Sequence, residues 1–131
     1  MKTNTRWKGG QAFESFKENH SIAIDGSGGF NPKALLLSGL AACSGIDVVD
    51  ILQKMRVVFS DLQIEAEAEQ TEEHPRVFKD IHLVFKIATA EENRDKVTKA
   101  VDLSLEKYCG VAEMLRKNSA IHFTITILPQ Q

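Results

Sequence analysis

Two cysteines, Cys43 and Cys109, are the residues of this chain whose side chains are best suited to catalytic chemistry. A thiolate is a strong nucleophile, and two thiols that meet in a fold can alternate between dithiol and disulfide. No Cys-x-x-Cys unit is present, so the sequence lacks both the thioredoxin motif and the ligand spacing of a zinc ribbon. The alternative is that each cysteine is only a small buried apolar residue.

Small residues flank Cys43 and leave space beside its sulfur for a second thiol or a small substrate: Gly39, Ala41, Ala42, Ser44 and Gly45. Asp47 follows Cys43 by one helical turn, and Glu106 precedes Cys109 by three residues, so carboxylates come within reach of both thiols. Negative neighbours raise the pKa of a thiol, and a reactive thiolate therefore needs a nearby cation. Spacing does not single out that cation among several candidates: Arg6, Lys8, Lys33, Arg56 and Lys107.

The first third of the chain predicts a small sheet followed by a helix. Three short segments between residues 3 and 25 are separated by Gly9-Gly10 and a polar turn, which favours a three-stranded meander. The aromatic residues Trp7, Phe13, Phe16 and Phe30 fit a core better than a substrate pocket. Gly-rich residues 26–29 lack the Lys-Ser/Thr of a phosphate-binding loop and fit a flexible connection.

A long apolar helix should begin at Pro32, with Asn31 as its N-cap. Apolar residues then continue almost without interruption to Leu52 and cover most of the helix circumference. Such a helix must be wrapped by a sheet, either from its own chain or from a partner, and so apolar a helix in so short a chain suggests a dimer.

The second half alternates between strand and helix periods. Residues 62–68 and 81–87 alternate apolar and polar side chains around a polar turn, which predicts a hairpin. Helical spacing returns over residues 90–108, with a bend at Gly110 and a further helical turn or two, before a last strand over residues 121–127. The order is β-β-β-α-β-β-α-(α)-β, and we expect one α+β domain spanning residues 1–131.

Composition narrows the function classes. The 131 residues carry a formal net charge of −2, which argues against a broadly basic nucleic-acid surface. The N-terminus has no apolar signal-peptide core, and no run approaches the length of an uninterrupted membrane span. The histidines are scattered and form no triad or metal-ligand pattern. We therefore expect a cytoplasmic protein without a metal site, which binds neither nucleic acid nor membrane.

At this point two segments carry a resemblance to a known family. The run from Asn31 to Cys43, followed by residues 44–49 and much later by Glu106-Lys107-Tyr108-Cys109, is similar to the OsmC/Ohr family of thiol-dependent peroxidases, and most similar to its YhfA-like branch. The resemblance covers nearly the whole chain. It implies an intertwined homodimer in which central helices pack together, sheets wrap around them, and two active sites lie at the subunit interface.

The resemblance also implies roles for the two cysteines. Cys43 would be the peroxidatic residue, whose thiolate attacks an organic hydroperoxide and becomes a sulfenic acid. Cys109 would resolve the sulfenate as a disulfide, which an external dithiol reductant then opens. The resemblance further implies that this chemistry needs no metal or other cofactor and serves the oxidative stress response.

Two positions differ from the family pattern. Lys33 stands where the family places an activating glutamate, and Gln11 aligns most simply with its activating arginine. Lys33 and Arg6 are therefore the candidate activators, with Glu106 and Asp47 as candidate orienting groups. Because these positions have changed, a non-catalytic dimer that binds a small molecule or senses redox state is the alternative function, and a purely structural interaction module is a third.

Overall fold

The computed structural model describes residues 1–130, and its first element is an antiparallel sheet of three strands. The strands β1 (Asn4–Gly9), β2 (Ala12–Lys17) and β3 (His20–Asp25) are arranged in the order β1-β2-β3. Gly9 and Gly10 form the first turn with φ angles of 103° and 54°, which side chains with a Cβ rarely adopt. The predicted meander is confirmed.

Three of the four aromatic residues expected in the core are exposed, so that expectation is wrong for Trp7, Phe13 and Phe30, whereas Phe16 is partly buried. Trp7 is 68% exposed, and Phe13 and Phe30 are also exposed. Every residue of β1 is exposed, and β3 is exposed at four of its six positions. Three short strands alone bury little apolar surface, because a sheet face is covered only when a second layer packs on it.

Helix α1 (Pro32–Lys54) begins where the sequence predicts. The side-chain oxygen of Asn31 accepts a hydrogen bond from the backbone N–H of Ala34 at 2.8 Å, which is the N-cap interaction. By length and composition α1 is apolar enough to cross a membrane, a property that it shares with core helices of soluble proteins. One face is buried by Leu40, Ser44, Gly45, Val48 and Leu52. The predicted lack of membrane contact stays a prediction.

The second sheet contains three longer strands in the order β4-β5-β6. Strands β4 (Phe59–Gln70) and β5 (Phe78–Thr89) form the predicted antiparallel hairpin. Strand β6 (Ala120–Leu128) runs parallel to β5, with Leu83 opposite Phe123. A parallel neighbour requires a long crossover, and the helices that follow β5 supply it.

Strand β5 forms the centre of the core. Ile81, Leu83, Phe85 and Ile87 point to one face and are fully buried. The ring of Phe85 packs edge-to-face against Phe123, with centroids 6.4 Å apart. This face packs with the buried residues of α1 and of the crossover helices in one apolar cluster. The core therefore holds α1 and the crossover in contact with the same sheet face.

The crossover is more divided than the sequence predicts. A short 3-10 turn (Glu91–Asn93) leads into α2 (Arg94–Leu103), whose last turn widens into a π-helical turn (Ser104–Tyr108). Helix α3 (Gly110–Arg116) then begins at the predicted bend. Cys109 is the single residue between the π-helical turn and α3. A π-helical turn is rare and is found frequently at functional sites.

By internal contacts the chain divides into two compact units, Met1–Leu36 and the remainder from Leu37 onward. The first contains β1 to β3, and the second contains most of α1 and every later element. Both cysteines belong to the second unit. The expectation that residues 1–131 form one domain stays a prediction.

Candidate active site: a pair of neighbouring thiols

Cys43 lies in the middle of α1 and is partly buried. Its neighbours Leu40 and Ser44 have no exposed surface. Two positions later the helix comes very close to β4, since a Cβ built on Gly45 would lie 2.8 Å from the Cδ1 atom of Ile64. Cys43 is therefore held on a helix that packs tightly on the sheet, and part of its side chain remains accessible.

Cys109 lies where the chain leaves the π-helical turn and enters α3. Its backbone is extended, and its N–H donates a 2.7 Å hydrogen bond to the carbonyl oxygen of Ser104. Its Sγ accepts a 3.3 Å hydrogen bond from the N–H of Ala112. Cys109 is thus the N-cap residue of α3 and has only 3% of its surface exposed.

The two thiols are free and interact with each other. The pKa of Cys109 rises from 9.0 to about 11, mainly because burial disfavours the thiolate. A hydrogen bond with the Cys43 side chain and the charge of the Cys43 thiolate raise this pKa further, while the N–H groups of Ala112 and Val111 lower it. Cys109 is therefore a protonated thiol beside the Cys43 sulfur at neutral pH.

A buried serine connects the two helical segments that carry the cysteines. The hydroxyl of Ser104 donates to Oδ2 of Asp47 at 2.9 Å and lies 3.2 Å from the carbonyl oxygen of Ser44. Ser104 has no exposed surface. One side chain thus binds α1 next to Cys43, while the backbone of the same residue binds Cys109.

The carboxylates predicted around the thiols have different surroundings. Asp47 is partly buried and accepts the Ser104 hydrogen bond, whereas Glu106 is exposed on the π-helical turn. Glu113, which follows Cys109 by four residues, forms a 2.8 Å ion pair with Arg116. Asp47 is therefore the carboxylate that the structure connects to the cysteine-bearing segments.

The predicted activating cations belong to the N-terminal unit. Arg6 lies on exposed strand β1, and Lys33 lies in the first turn of α1. Arg6 lines a surface cavity of about 360 Å³ together with Lys2, Thr3, Asn4, Phe16 and Glu18. The roles of Arg6 and Lys33 stay predictions.

Two cavities adjoin α1 in the second unit. One, of about 390 Å³, combines charged and apolar side chains from α1 and the crossover: Asp47, Asp50, Ile51, Lys54, Met55, Leu103 and Tyr108. The other, of about 590 Å³, is a wide groove of mostly small or apolar residues: Ser38, Ala41, Ala42, Gly45, Ile46, Val49, Asp50, Leu62 and Ile64. Ile46 is 65% exposed at this groove. Among residues 1–130, no three His, Cys, Asp or Glu side chains are grouped to hold a metal ion.

Comparison with known proteins places this arrangement in a family. The family model for OsmC-like proteins matches residues 25–125, a range that includes both cysteines. The chain belongs to the OsmC-like family. Protein YhfA of Escherichia coli K12 is 42% identical over 123 residues, which cover 89% of this chain and 90% of YhfA.

Solved structures of this family share the fold. An OsmC-like protein from Mycoplasma pneumoniae matches with a TM-score of 0.83 at 17% identity, covering 97% of this chain and 96% of that one. The organic hydroperoxide resistance protein OhrB of Bacillus subtilis matches with a TM-score of 0.72 at 20% identity, covering 95% and 96%. These likenesses confirm the predicted OsmC-like α+β fold.

Ser104 is the residue of this site that sequence reasoning missed. It is the first residue of the π-helical turn and continues the apolar stripe of α2, three residues after the buried Val101, as a polar residue on the core side. A serine at a position predicted to be buried indicates a hydrogen bond inside the core, because a buried hydroxyl needs a partner. The identity of the partner, Asp47, depends on the tertiary packing.

Proposed function

We propose that this protein is a thiol-dependent peroxidase that reduces organic hydroperoxides, with Cys43 as the nucleophile and Cys109 as the resolving thiol. The observation that supports this function best is the interaction of a partly accessible Cys43 with a buried, protonated Cys109. Family membership adds support, since OhrB is named an organic hydroperoxide resistance protein.

In the first step the Cys43 thiolate attacks the outer oxygen of a hydroperoxide ROOH. The S–O bond forms as the O–O bond breaks, RO⁻ takes a proton from solvent to leave as ROH, and Cys43 becomes a sulfenic acid. The sulfur is oxidised by two electrons and the peroxide is reduced by two. The greater accessibility of Cys43 assigns this step to it, because Cys109 is only 3% exposed.

In the second step Cys109 attacks the sulfenic sulfur of Cys43. The S–S bond forms, and the thiol proton leaves with the sulfenic hydroxyl as water. A neutral sulfenic acid removes the Cys43 thiolate charge that raises the pKa of Cys109. Ionisation of the resolving thiol thus becomes easier after the first step. An external dithiol then reduces the disulfide to two thiols and is itself oxidised to a disulfide, so no metal or other cofactor enters the cycle.

The proposed working unit is a homodimer with its active sites at the subunit interface. The groove along α1 and β4 supports this unit, because it presents mostly small and apolar side chains to solvent. Leu36 and Ile46, both on α1, are more than half exposed in the single chain. Burial of such a surface against a second copy is favourable at roughly 25 cal/mol per Å² of apolar area.

We expect the cycle to operate in the cytoplasm, where dithiol reductants are available. Lys33 and Arg6 are the proposed sources of positive charge that stabilise the Cys43 thiolate. Lys33→Gln and Arg6→Gln should be compared for the rate of sulfenic acid formation. Substitution of the residue that activates Cys43 should lower this rate about tenfold. This is the effect expected when the pKa of a thiol rises by about one and its thiolate fraction falls accordingly. Lys2→Gln is the control, since Lys2 is another exposed cation of the N-terminal unit.

The test of the proposed function is hydroperoxide consumption with a dithiol donor. The wild type should consume an organic hydroperoxide, Cys43→Ser should not, and Cys109→Ser should accumulate a sulfenic acid that dimedone traps at Cys43. Mass spectrometry of the wild type should show a Cys43–Cys109 disulfide after peroxide treatment. Wild-type consumption no faster than that of Cys43→Ser would refute the enzymatic proposal, whereas rapid disulfide formation without turnover would favour redox sensing.

A further inference from the structure

We infer that Ser104 and Asp47 are positioning residues that hold Cys109 against Cys43 for disulfide formation. This inference rests on the proposed function, adds Ser104 to the site and gives the candidate orienting carboxylate of Asp47 a hydrogen-bond partner. The observation behind it is that the buried Ser104 binds both segments. Its hydroxyl binds α1, and its backbone carbonyl binds the N–H of Cys109.

The first connection runs from the crossover to α1. The Ser104 hydroxyl donates to the Asp47 carboxylate at 2.9 Å, and its oxygen lies 3.2 Å from the Ser44 carbonyl. These acceptors are one and four residues after Cys43 on the same helix. A hydrogen bond to a carboxylate is stronger than one between neutral groups, and at Ser104 no surface is exposed to competing water.

The second connection runs from Ser104 to Cys109 through the backbone. The N–H of Cys109 donates to the Ser104 carbonyl at 2.7 Å, a bond that spans five residues and closes the π-helical turn. The backbone of Ser104 therefore positions Cys109, while the side chain of Ser104 is bound to α1. Ser104 thus fixes the position of Cys109 relative to the helix that carries Cys43, although the two cysteines are far apart in sequence.

A disulfide requires this kind of alignment. Its geometry tolerates only a narrow range of Cα and Cβ separations, so a pair held in place forms the bond at a higher effective concentration. Loss of the Ser104 hydroxyl removes a buried polar connection between the π-helical turn and α1. We expect the effective concentration of the two thiols to fall about tenfold, which is the effect of losing one such hydrogen bond.

The test is the equilibrium between the purified protein and a dithiol redox buffer, followed by the fraction of Cys43–Cys109 disulfide. Ser104→Ala and Asp47→Ala should each shift the potential of the pair by about 30 mV to less negative values, which corresponds to a tenfold change. Asp47→Asn keeps an acceptor oxygen but loses the charge, so its shift should be clearly smaller than that of Asp47→Ala. If the charge of Asp47 acted alone, Asp47→Asn would match Asp47→Ala, and that result would overturn the inference.

The matched control is Ser119→Ala. Ser119 is also a buried serine whose hydroxyl donates to a backbone carbonyl at 2.8 Å, but this acceptor is Phe78 on β5 and not a residue of α1. A purely structural role of Ser104 would lower the free energy of unfolding in both serine variants and leave both potentials unchanged. That outcome would overturn the inference.

The two proposals fail in different ways. A wild-type disulfide with an unchanged potential in Ser104→Ala overturns the positioning role alone. Absence of any Cys43–Cys109 disulfide in the wild type overturns the proposed function and the positioning role together. If Ser104→Ala does not fold, the comparison of Asp47→Ala with Asp47→Asn decides the same question.

Discussion

Burial of Cys109 couples the ionisation of its thiol to the stability of the fold. The pKa of Cys109 rises from 9.0 to about 11, with burial as the largest cause and Cys43 as a further one. As the pH rises past about 9, the unfolded chain loses this proton while the folded protein keeps it. The stabilisation is therefore fully present below about pH 9 and is lost between about pH 9 and 11.

The size of the effect follows from the two pKa values. A rise from 9.0 to about 11 corresponds to at most about 2.7 kcal/mol, because one pKa unit is worth about 1.36 kcal/mol. Cys109→Ala removes this titration and also removes the sulfur that accepts the N–H of Ala112. Loss of the cap costs about 1 kcal/mol at every pH. The variant should thus be less stable than the wild type near neutral pH, and the gap should shrink or reverse above about pH 10.

The assay is urea unfolding of both proteins from about pH 7 to 11, with a phosphine reductant and at one protein concentration. Absorbance of the thiolate in Cys43→Ser titrates Cys109 without the contribution of Cys43 and so reports the part of the pKa rise that comes from burial. Ser119→Ala is the control, since it removes a buried hydroxyl that does not titrate and should run parallel to the wild type. A wild-type advantage over Cys109→Ala that stays constant across the whole pH range would refute the reasoning.

Three further predictions concern the fold and the dimer. Phe85→Ala should lower the free energy of unfolding by about 3–5 kcal/mol in urea titrations, because Phe85 is fully buried in the central strand; a loss below about 1 kcal/mol would contradict the assigned core. Asn31→Ala should cost about 1 kcal/mol, while Asn31→Asp should keep most of the stability, because Asp also accepts the N–H of Ala34; equal losses would argue against the cap. Ile46→Asp should convert the proposed dimer to monomers in light scattering, whereas Val58→Asp should not, although Val58 is also exposed; an unchanged mass for Ile46→Asp would exclude the α1 groove as the interface.

The elements of this chain could be predicted because their signals are local. Asn31 and Pro32 mark the start of α1. The N-cap bond of Asn31 to the N–H of Ala34 joins residues only three positions apart and is present in the structure. Alternation with period two identifies β4 and β5, since successive side chains of a strand point to opposite faces. Gly110 likewise marks the bend between the crossover helices by its own residue type, and α3 begins at this residue.

Burial of the aromatic residues could not be predicted in the same way. Trp7 and Phe13 alternate with polar neighbours as core residues of a strand would, yet both are exposed in the chain. Alternation shows that one face of a strand is apolar, but it does not show which layer covers that face. Exposure depends on packing partners that lie outside the strand.

The sequence by itself determined the order of the elements, the long apolar helix and the two cysteines as the residues to consider for chemistry. Only the tertiary structure brought Cys43 beside Cys109, buried the latter enough to raise its pKa, and paired Ser104 with Asp47. The physical reason is one of range. Helix caps and strand periods arise from neighbours a few residues apart, whereas the pKa of a thiol and the partner of a buried hydroxyl depend on segments that meet only when the core of α1, β5 and α2 closes.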